Sequence, residues 1–407
     1  MREMSHPHLP SHLTRLAQRY GRIYTLRCGN SRDLVSGGGC SVSLGDYSQP
    51  WRAQRRLVHG ALQRCSHTAL HSTIQRQALL LREESQVLIG YNGSAVDLSE
   101  DFTVAASNVI TMLMFEKEYD KESAELQRLH SCLNKIVSLW GSPWISALDS
   151  FPLLRKLPNR PFSRLLEEVA RRDDIIGTLL KEFKLTDTHL HMATVDLLIG
   201  GTETTAAWLN WAVAFLLHRP QVQSRVYEEM CEVLEDRYPT YSDRYRLPIL
   251  SALISEVLRM RPVAPLAVPH RALRDSSIAG YFIPKDTVII PNLFGAHHDP
   301  AVWSEPYSFR PERFLEAGGG CARSLLAFGG GARLCLGEAV AKMELFLFTA
   351  YLLRDFQFVS CGKEASLPDL MGEASVVLKV KSYQVIAVPR PDGPNQDRAE
   401  DHRTHQN

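Results

Sequence analysis

Between Met192 and Leu217 the chain reads MATVDLLIGGTETTAAWLNWAVAFLL. A run this long and apolar has two homes, a bilayer or the middle of a protein core. It also carries Asp196, Glu203 and a Gly-Gly pair near its centre. Two carboxylates in hydrocarbon are expensive. The run is therefore expected as one long buried helix, His189–Leu217, with the rest of the chain wrapped around it. A helix apolar on all sides needs a large core to surround it. A chain of 407 residues that is 44% hydrophobic can supply one.

Periodicity elsewhere predicts mostly helix. The expected helices are Leu13–Tyr20, Asp46–Leu62, Ala69–Leu88, Asp101–Phe115, Ser123–Leu139, Arg160–Phe183, Pro220–Asp236, Pro248–Met260 and Glu338–Asp355. Strands are expected to be few and short: Ile23–Arg27, His270–Ala272, Val288–Pro291, and Val376–Lys379 with Ile386–Val388. The fold class is mainly α with small β-sheets. Pro and Gly punctuate residues 260–330 densely, which reads as a meandering segment of the same domain. The expected organisation is a remnant amino terminus at 1–12, one domain at 13–389, and a polar, disordered tail at 390–407. Lys plus Arg is 46 and Asp plus Glu is 45, a balance that gives no reason to expect nucleic acid as the main partner. Eight cysteines show no CxxC or clustered spacing, so they read as reduced thiols. The opening MREMSHPHLPSHLTRL is too polar for a signal peptide or an anchor.

The stretch FGGGARLCLGE, Phe328–Glu338, concentrates the chemistry. A phosphate loop would need GxxxxGK[ST], and the Lys and Ser/Thr are missing. A plain turn accounts for glycines but not for Arg-x-Cys-x-Gly. A thiolate ligand to iron accounts for all of it. A helix starting just after Cys335 directs its free amides and positive dipole end at the sulfur. Gly329, Gly331 and Gly337 remove side chains where backbone must approach a flat ligand. Arg333 is placed to pair with a carboxylate of that ligand, and Phe328 to keep water from the sulfur.

The spacing F-G-x-G-x-R-x-C-x-G, complete from Phe328 to Gly337, resembles the haem-thiolate loop of the cytochrome P450 family. The resemblance implies the family's fold, with haem b (iron protoporphyrin IX) held between the long apolar helix and the helix after Cys335, the axial ligand. Glu256 and Arg259 form E-x-x-R, and FRPERF follows at Phe309–Phe314. The resemblance implies a buried structural network of Glu256, Arg259 and Arg313. In GGTETT, Gly200 and Gly201 are implied to open the helix for oxygen, with Thr204 to hold it and Glu203 to relay protons through water. In WRAQR, Trp51 and Arg55 lie about one helical turn apart. With His270 they are implied to contact the haem propionates.

Longer stretches are similar to vertebrate steroid hydroxylases of this family that act at C21: SLGDYSQPW, HMATVDLLIGGTETTAAWLNWAVAFLLHRP, and RPVAPLAVPHRALRDSSIAGYFIPKDTVIIPNLFGAHHDPAVW. This implies oxygen- and NADPH-dependent hydroxylation of progesterone or 17-hydroxyprogesterone at C21. The alternatives are a 17α-hydroxylase, a xenobiotic P450, or a haem- and steroid-binding product without turnover. Implied partners are the steroid, O2 and NADPH-cytochrome P450 reductase. The reductase would dock on a basic cluster of Arg52, Arg55, Arg56 and Lys342. The implied location is the cytoplasmic face of the endoplasmic reticulum membrane. Implied substrate contacts are Asp196, Gly201, Ala264 and Lys181. Against the family pattern the chain is short between Arg27 and Trp51 and near 184–189, where part of the substrate roof belongs, and it lacks the family's amino-terminal anchor. It reads as a splice form or an incomplete gene model.

Overall fold

The computed structural model describes residues 6, 8–25, 40–65, 69–89, 95–140, 160, 163–164, 166–171, 188–316, 320–362 and 367–390. Helices dominate: α1 (Leu9–Tyr20), α2 (Gln49–Cys65), α3 (Ala69–Ile89), α4 (Ser99–Phe115), α5 (Ala124–Trp140), α6 (Thr188–His218), α7 (Pro220–Leu234), α8 (Pro248–Met260), α9 (Leu293–His297), α10 (Gly320–Ser324) and α11 (Glu338–Asp355). The strands pair in twos, all antiparallel. These are β1 (His270–Arg271) with β4 (Val288–Ile289), β2 (Ser276–Ile278) with β3 (Tyr281–Ile283), β5 (Phe356–Ser360) with β8 (Val385–Pro389), and β6 (Glu373–Ala374) with β7 (Leu378–Lys379). Of the expected Arg160–Phe183 helix, the described residues are helical and the others lie outside the description.

The apolar run forms α6, and most of its second half is buried among protein. Trp208, Trp211, Leu209, Phe215 and Leu216 are each 0–1% exposed. Fully burying side chains of this size contributes about 1.5–3 kcal/mol each. No helix among the described residues is long and apolar enough to cross a membrane. α4 lies along α6 at close range. A Cβ on Gly201 would sit 2.4 Å from Cδ1 of Ile110, so glycine is what permits the approach. α11 packs against both α3 and α6, and nearly all its second half is buried. α8 begins at Pro248, whose missing N–H is no loss there. The Glu229 carboxylate of α7 accepts the next two amides, Ile249 at 2.7 Å and Leu250 at 3.0 Å.

Three expectations differ from the structure. α2 starts at Gln49 rather than Asp46, because the Ser48 hydroxyl caps it by accepting from the Trp51 amide at 3.2 Å. Ile23, Tyr24 and Thr25 are not strand. The segments at 378–379 and 385–389 do not pair with each other. The first pairs with β6. The second pairs with β5, an apolar run directly after α11 that reads equally well as the end of that helix.

Candidate active site

The Cys335 loop is built from backbone hydrogen bonds. The Gly329 amide donates to the Leu326 carbonyl at 2.8 Å, Leu334 to Gly331 at 3.1 Å, and Cys335 itself to Phe328 at 3.0 Å. Gly329 and Gly331 take φ of 75° and 65°, a left-handed conformation that favours glycine. No atom lies within 4 Å of where side chains on Gly329, Gly330 and Gly331 would stand, so this face of the loop is open. Cys335 is an exposed free thiol, and a Cβ on Gly337 would meet its Sγ at 4.0 Å. The protein crowded around it nonetheless pushes the thiol above its usual range, against the Gly337 amide and the Arg55 charge. A bound iron would remove that proton, because a coordinating thiol is deprotonated outright.

Trp51, Arg55, Arg333 and the loop are brought together. The Arg333 guanidinium stacks 4.0 Å from the centre of the Trp51 ring and donates to the Gly45 carbonyl at 2.6 Å. Arg55 lies 5.4 Å from the same ring and donates to the Leu334 carbonyl. Burial holds both guanidiniums below their usual range. Among the described residues neither has a carboxylate ion pair, so two desolvated cations await an anion. β1 reaches the same corner through Arg271, which donates to Asp46 at 2.6 Å. Its neighbour His270 donates Nδ1–H to the Val268 carbonyl at 2.7 Å. Of the basic cluster, Arg52 and Arg56 are exposed. Arg55 is turned into the loop, and Lys342 is paired with Glu338 at 2.7 Å.

On α6 the motif residues part company. Gly200 is exposed, with no atom within 4 Å of where a side chain would stand. The Thr204 hydroxyl, half-buried one turn on, donates to the Gly200 carbonyl at 2.5 Å. Gly201 faces Ile110 instead, so its missing side chain serves helix packing and not the open side. Glu203 is buried and points into a polar cleft of 410 Å³ lined also by His130, Asn134, Asp97 and Lys379. There it accepts from Lys379 Nζ at 2.5 Å.

Asp196, expected as a substrate contact, is held by the chain itself. Its carboxylate accepts from the Ser41 hydroxyl at 2.9 and 3.0 Å and from the amides of Val42 at 2.5 Å and Ser43 at 3.2 Å. It pins the turn before α2 onto α6. Trp51 holds the same turn from the other side, donating Nε1–H to the Val42 carbonyl at 2.9 Å. Ala264 is half-buried in the turn after α8. Lys181 lies outside the described residues.

Glu256, Arg259 and Arg313 form one buried network, at 0%, 0% and 4% exposure. Arg259 meets the carboxylate with two bonds of 2.8 Å, and Arg313 Nε lies 3.2 and 3.1 Å from its oxygens. Further guanidinium hydrogens go to carbonyls, His297 at 2.8 Å and Pro306 at 2.7 Å for Arg259 and Ser304 at 2.7 Å for Arg313, and one of Arg259 goes to the Met260 sulfur at 2.8 Å. Two cations on one carboxylate are tolerable in a dry site because the carbonyl oxygens share the load.

Sequence reasoning missed two polar partners. Lys379 on β7 carries no local signal, because its partner is far away in the chain. Glu344 carries one, an acid inside MELFLF. It is 1% exposed and accepts from Thr205 at 2.9 Å, tying α6 to α11 beside Thr204. Burial pushes its carboxyl up to about 8.

The model of the family described as Cytochrome P450 matches residues 32–184 and 171–387. The chain belongs to the cytochrome P450 family. Steroid 21-hydroxylase of Homo sapiens is 37% identical over 95% of this chain and 90% of its own length. The Mus musculus enzyme of that name is 36% identical over 97% and 91%. A solved zebrafish cytochrome P450 with progesterone superposes with a TM-score of 0.82 at 33% identity, over 93% of this chain and 99% of that one. The expected mainly α fold with small sheets is thereby the P450 fold, and the chain is a monooxygenase whose cofactor is haem b. The residues present fit that cofactor. An exposed thiol stands beside an open glycine face, and two carboxylate-free arginines flank it on one aromatic ring.

Proposed function

We propose that this cytochrome P450 hydroxylates a progesterone-type steroid at C21, taking electrons from NADPH through NADPH-cytochrome P450 reductase. The observation that carries the reading is similarity over nearly the whole chain to proteins named steroid 21-hydroxylase. The haem, when bound, supplies the oxygen chemistry. Cys335 is its thiolate ligand, and Arg333, Arg55, Trp51 and His270 hold its propionate edge. The Thr204 proton is committed to the Gly200 carbonyl. Its oxygen therefore acts mainly as an acceptor, steadying a proton on the open side of α6. Glu203 faces the polar cleft and, with Lys379, exchanges protons with water there. Ala264 borders the substrate. Arg52 and Arg56 form the exposed remainder of the reductase surface, and the enzyme works at the cytoplasmic face of the endoplasmic reticulum.

Reconstitution with reductase, NADPH, oxygen and progesterone tests this, with the products separated by position. A C21 alcohol is expected. A C17 alcohol would replace the reading with the 17α one. A thiolate-type reduced carbon monoxide band and steroid binding without product would replace it with haem and steroid binding alone.

A further inference from the structure

The His297 side chain is given no role above, yet the residue touches both of the structures that matter on this side of the molecule. It ends α9 and is 0% exposed. Its carbonyl accepts from Arg259 Nη1 at 2.8 Å, inside the buried charge network. Its ring Nε2 lies 2.9 Å from the amide of Leu326. An amide can only donate, so Nε2 must carry a lone pair and the proton must sit on Nδ1. Nδ1 has no partner among the described residues.

Leu326 is where the thiol loop begins. Its carbonyl accepts from Gly329, closing the turn, and the next link, Phe328, accepts from Cys335. The path from the network to the thiol is therefore Arg259, the two ends of His297, Leu326, Phe328 and Cys335. The ring meets Trp303 edge-on with centroids 6.2 Å apart, and Trp303 in turn lies 5.2 Å from the Arg259 guanidinium. The imidazole thus has one orientation, with its only lone pair on the Leu326 amide.

We infer that His297 is a positioning residue for the Cys335 loop, acting as a neutral hydrogen-bond acceptor that fixes the loop's first amide to the Glu256–Arg259–Arg313 network. Burial and the Arg259 charge lower its pKa to about 4, in keeping with a ring that stays neutral at physiological pH. The inference rests on the reading of Cys335 as the iron ligand.

The test compares His297→Gln with His297→Phe in the haem-loaded full chain. Gln places an oxygen near the Nε2 position and can accept from Leu326. Phe keeps a ring against Trp303 and accepts nothing. Losing one hydrogen bond corresponds to about a tenfold change in the local opening equilibrium. The Leu326 amide is therefore expected to exchange about tenfold faster in the Phe variant than in the Gln variant. The Phe variant is also expected to lose its thiolate-type carbon monoxide band faster on standing. Phe performing as well as Gln in both readouts would reduce His297 to packing and overturn the inference. Should the Phe variant not fold, nitrogen spectra of histidine in the unsubstituted, reduced, carbon monoxide-bound protein decide. An Nδ1–H tautomer is expected at neutral pH, and an Nε2–H or charged ring overturns it. A thiolate-type band in the unsubstituted protein keeps the ligand reading whichever way His297 falls.

Discussion

The two sides of the site are built differently. Behind the Cys335 loop one charge network is buried and mutually satisfied: Glu256 with Arg259 and Arg313, and most of their spare hydrogens on carbonyls. On the α6 side the motif residues are held one at a time by distant pieces of chain. Asp196 is held by Ser41 to Ser43, Glu203 by Lys379, and Gly201 lies against Ile110. A network fails as a unit, whereas single attachments fail one by one. On the proposed reading the first side is the mount for the cofactor, and the second is a surface that can be altered piecemeal.

The sharpest way to break this contrast is Arg259→Ala. It leaves Glu256 buried with only Arg313 and the Arg310 amide, and abandons the carbonyls of His297 and Pro306. Removing one partner of a buried pair costs about 3–5 kcal/mol, a large part of a domain's stability. Little haem-loaded protein is expected. Normal haem content and an unchanged melting temperature would show that the mount does not depend on the network.

Glu344, where the two sides meet, gives a smaller effect that depends on pH. One oxygen accepts from Thr205 and the other has no partner among the described residues, so the anion is unsupported. With the folded carboxyl raised from 4.5 to about 8, the folded chain holds a proton that the unfolded chain gives up across that window. Stability is then fully present below pH 4.5 and falls as pH rises to 8, by about 1.4 kcal/mol per pH unit. Glu344→Gln removes this slope. Its melting temperature is expected to gain steadily on the unsubstituted protein from pH 5.5 to 8. Parallel melting curves over that range would place the carboxyl in contact with water.

How much of this was legible depended on distance along the chain. α8 is visible in PILSALISEVLRM, and the Glu256–Arg259 pairing is visible in i, i+3 spacing, because both are local. The glycine loop is legible for the same reason. Spacing fixes a residue's place on the backbone but not what it faces. Glu203 and Thr204 are neighbours in sequence, and successive helix positions point about 100° apart. One therefore meets Lys379 and the other the open side of α6. The Asp196 turn was invisible because its donors, Ser41 to Ser43, lie more than 150 residues away. Strand β5 was hidden by following α11 without a break.

Asp196→Asn tests whether the α6 attachments are independent. The amide keeps an acceptor but turns a donor toward donating amides. The expected cost is about 1–3 kcal/mol, the penalty for leaving buried polar groups unmatched, and it should stay local. The Val42 and Ser43 amides should exchange faster while haem content and the thiolate-type band hold. Loss of haem would mean that the turn carrying Trp51 is part of the mount, and the contrast between the two sides would fail.

Thr204→Ala should have the smallest effect on stability and the most specific effect on chemistry. The lost hydroxyl made a bond within its own helix, to the Gly200 carbonyl at 2.5 Å. Alanine is the better helix former, by roughly half a kcal/mol, so the two changes nearly cancel. Haem content and melting should match the unsubstituted protein. What goes missing is the one hydroxyl in this motif at the open side of α6, since Thr205 is spent on Glu344. Without that group proton delivery on this side would be less controlled, and reducing equivalents would be diverted to hydrogen peroxide. NADPH consumption should continue while product per NADPH falls. Product, peroxide and NADPH are measured together in the reconstituted system. An unchanged ratio of product to NADPH would leave Thr204 as a helix residue, and proton control at this face would have to come from the cleft that Glu203 lines.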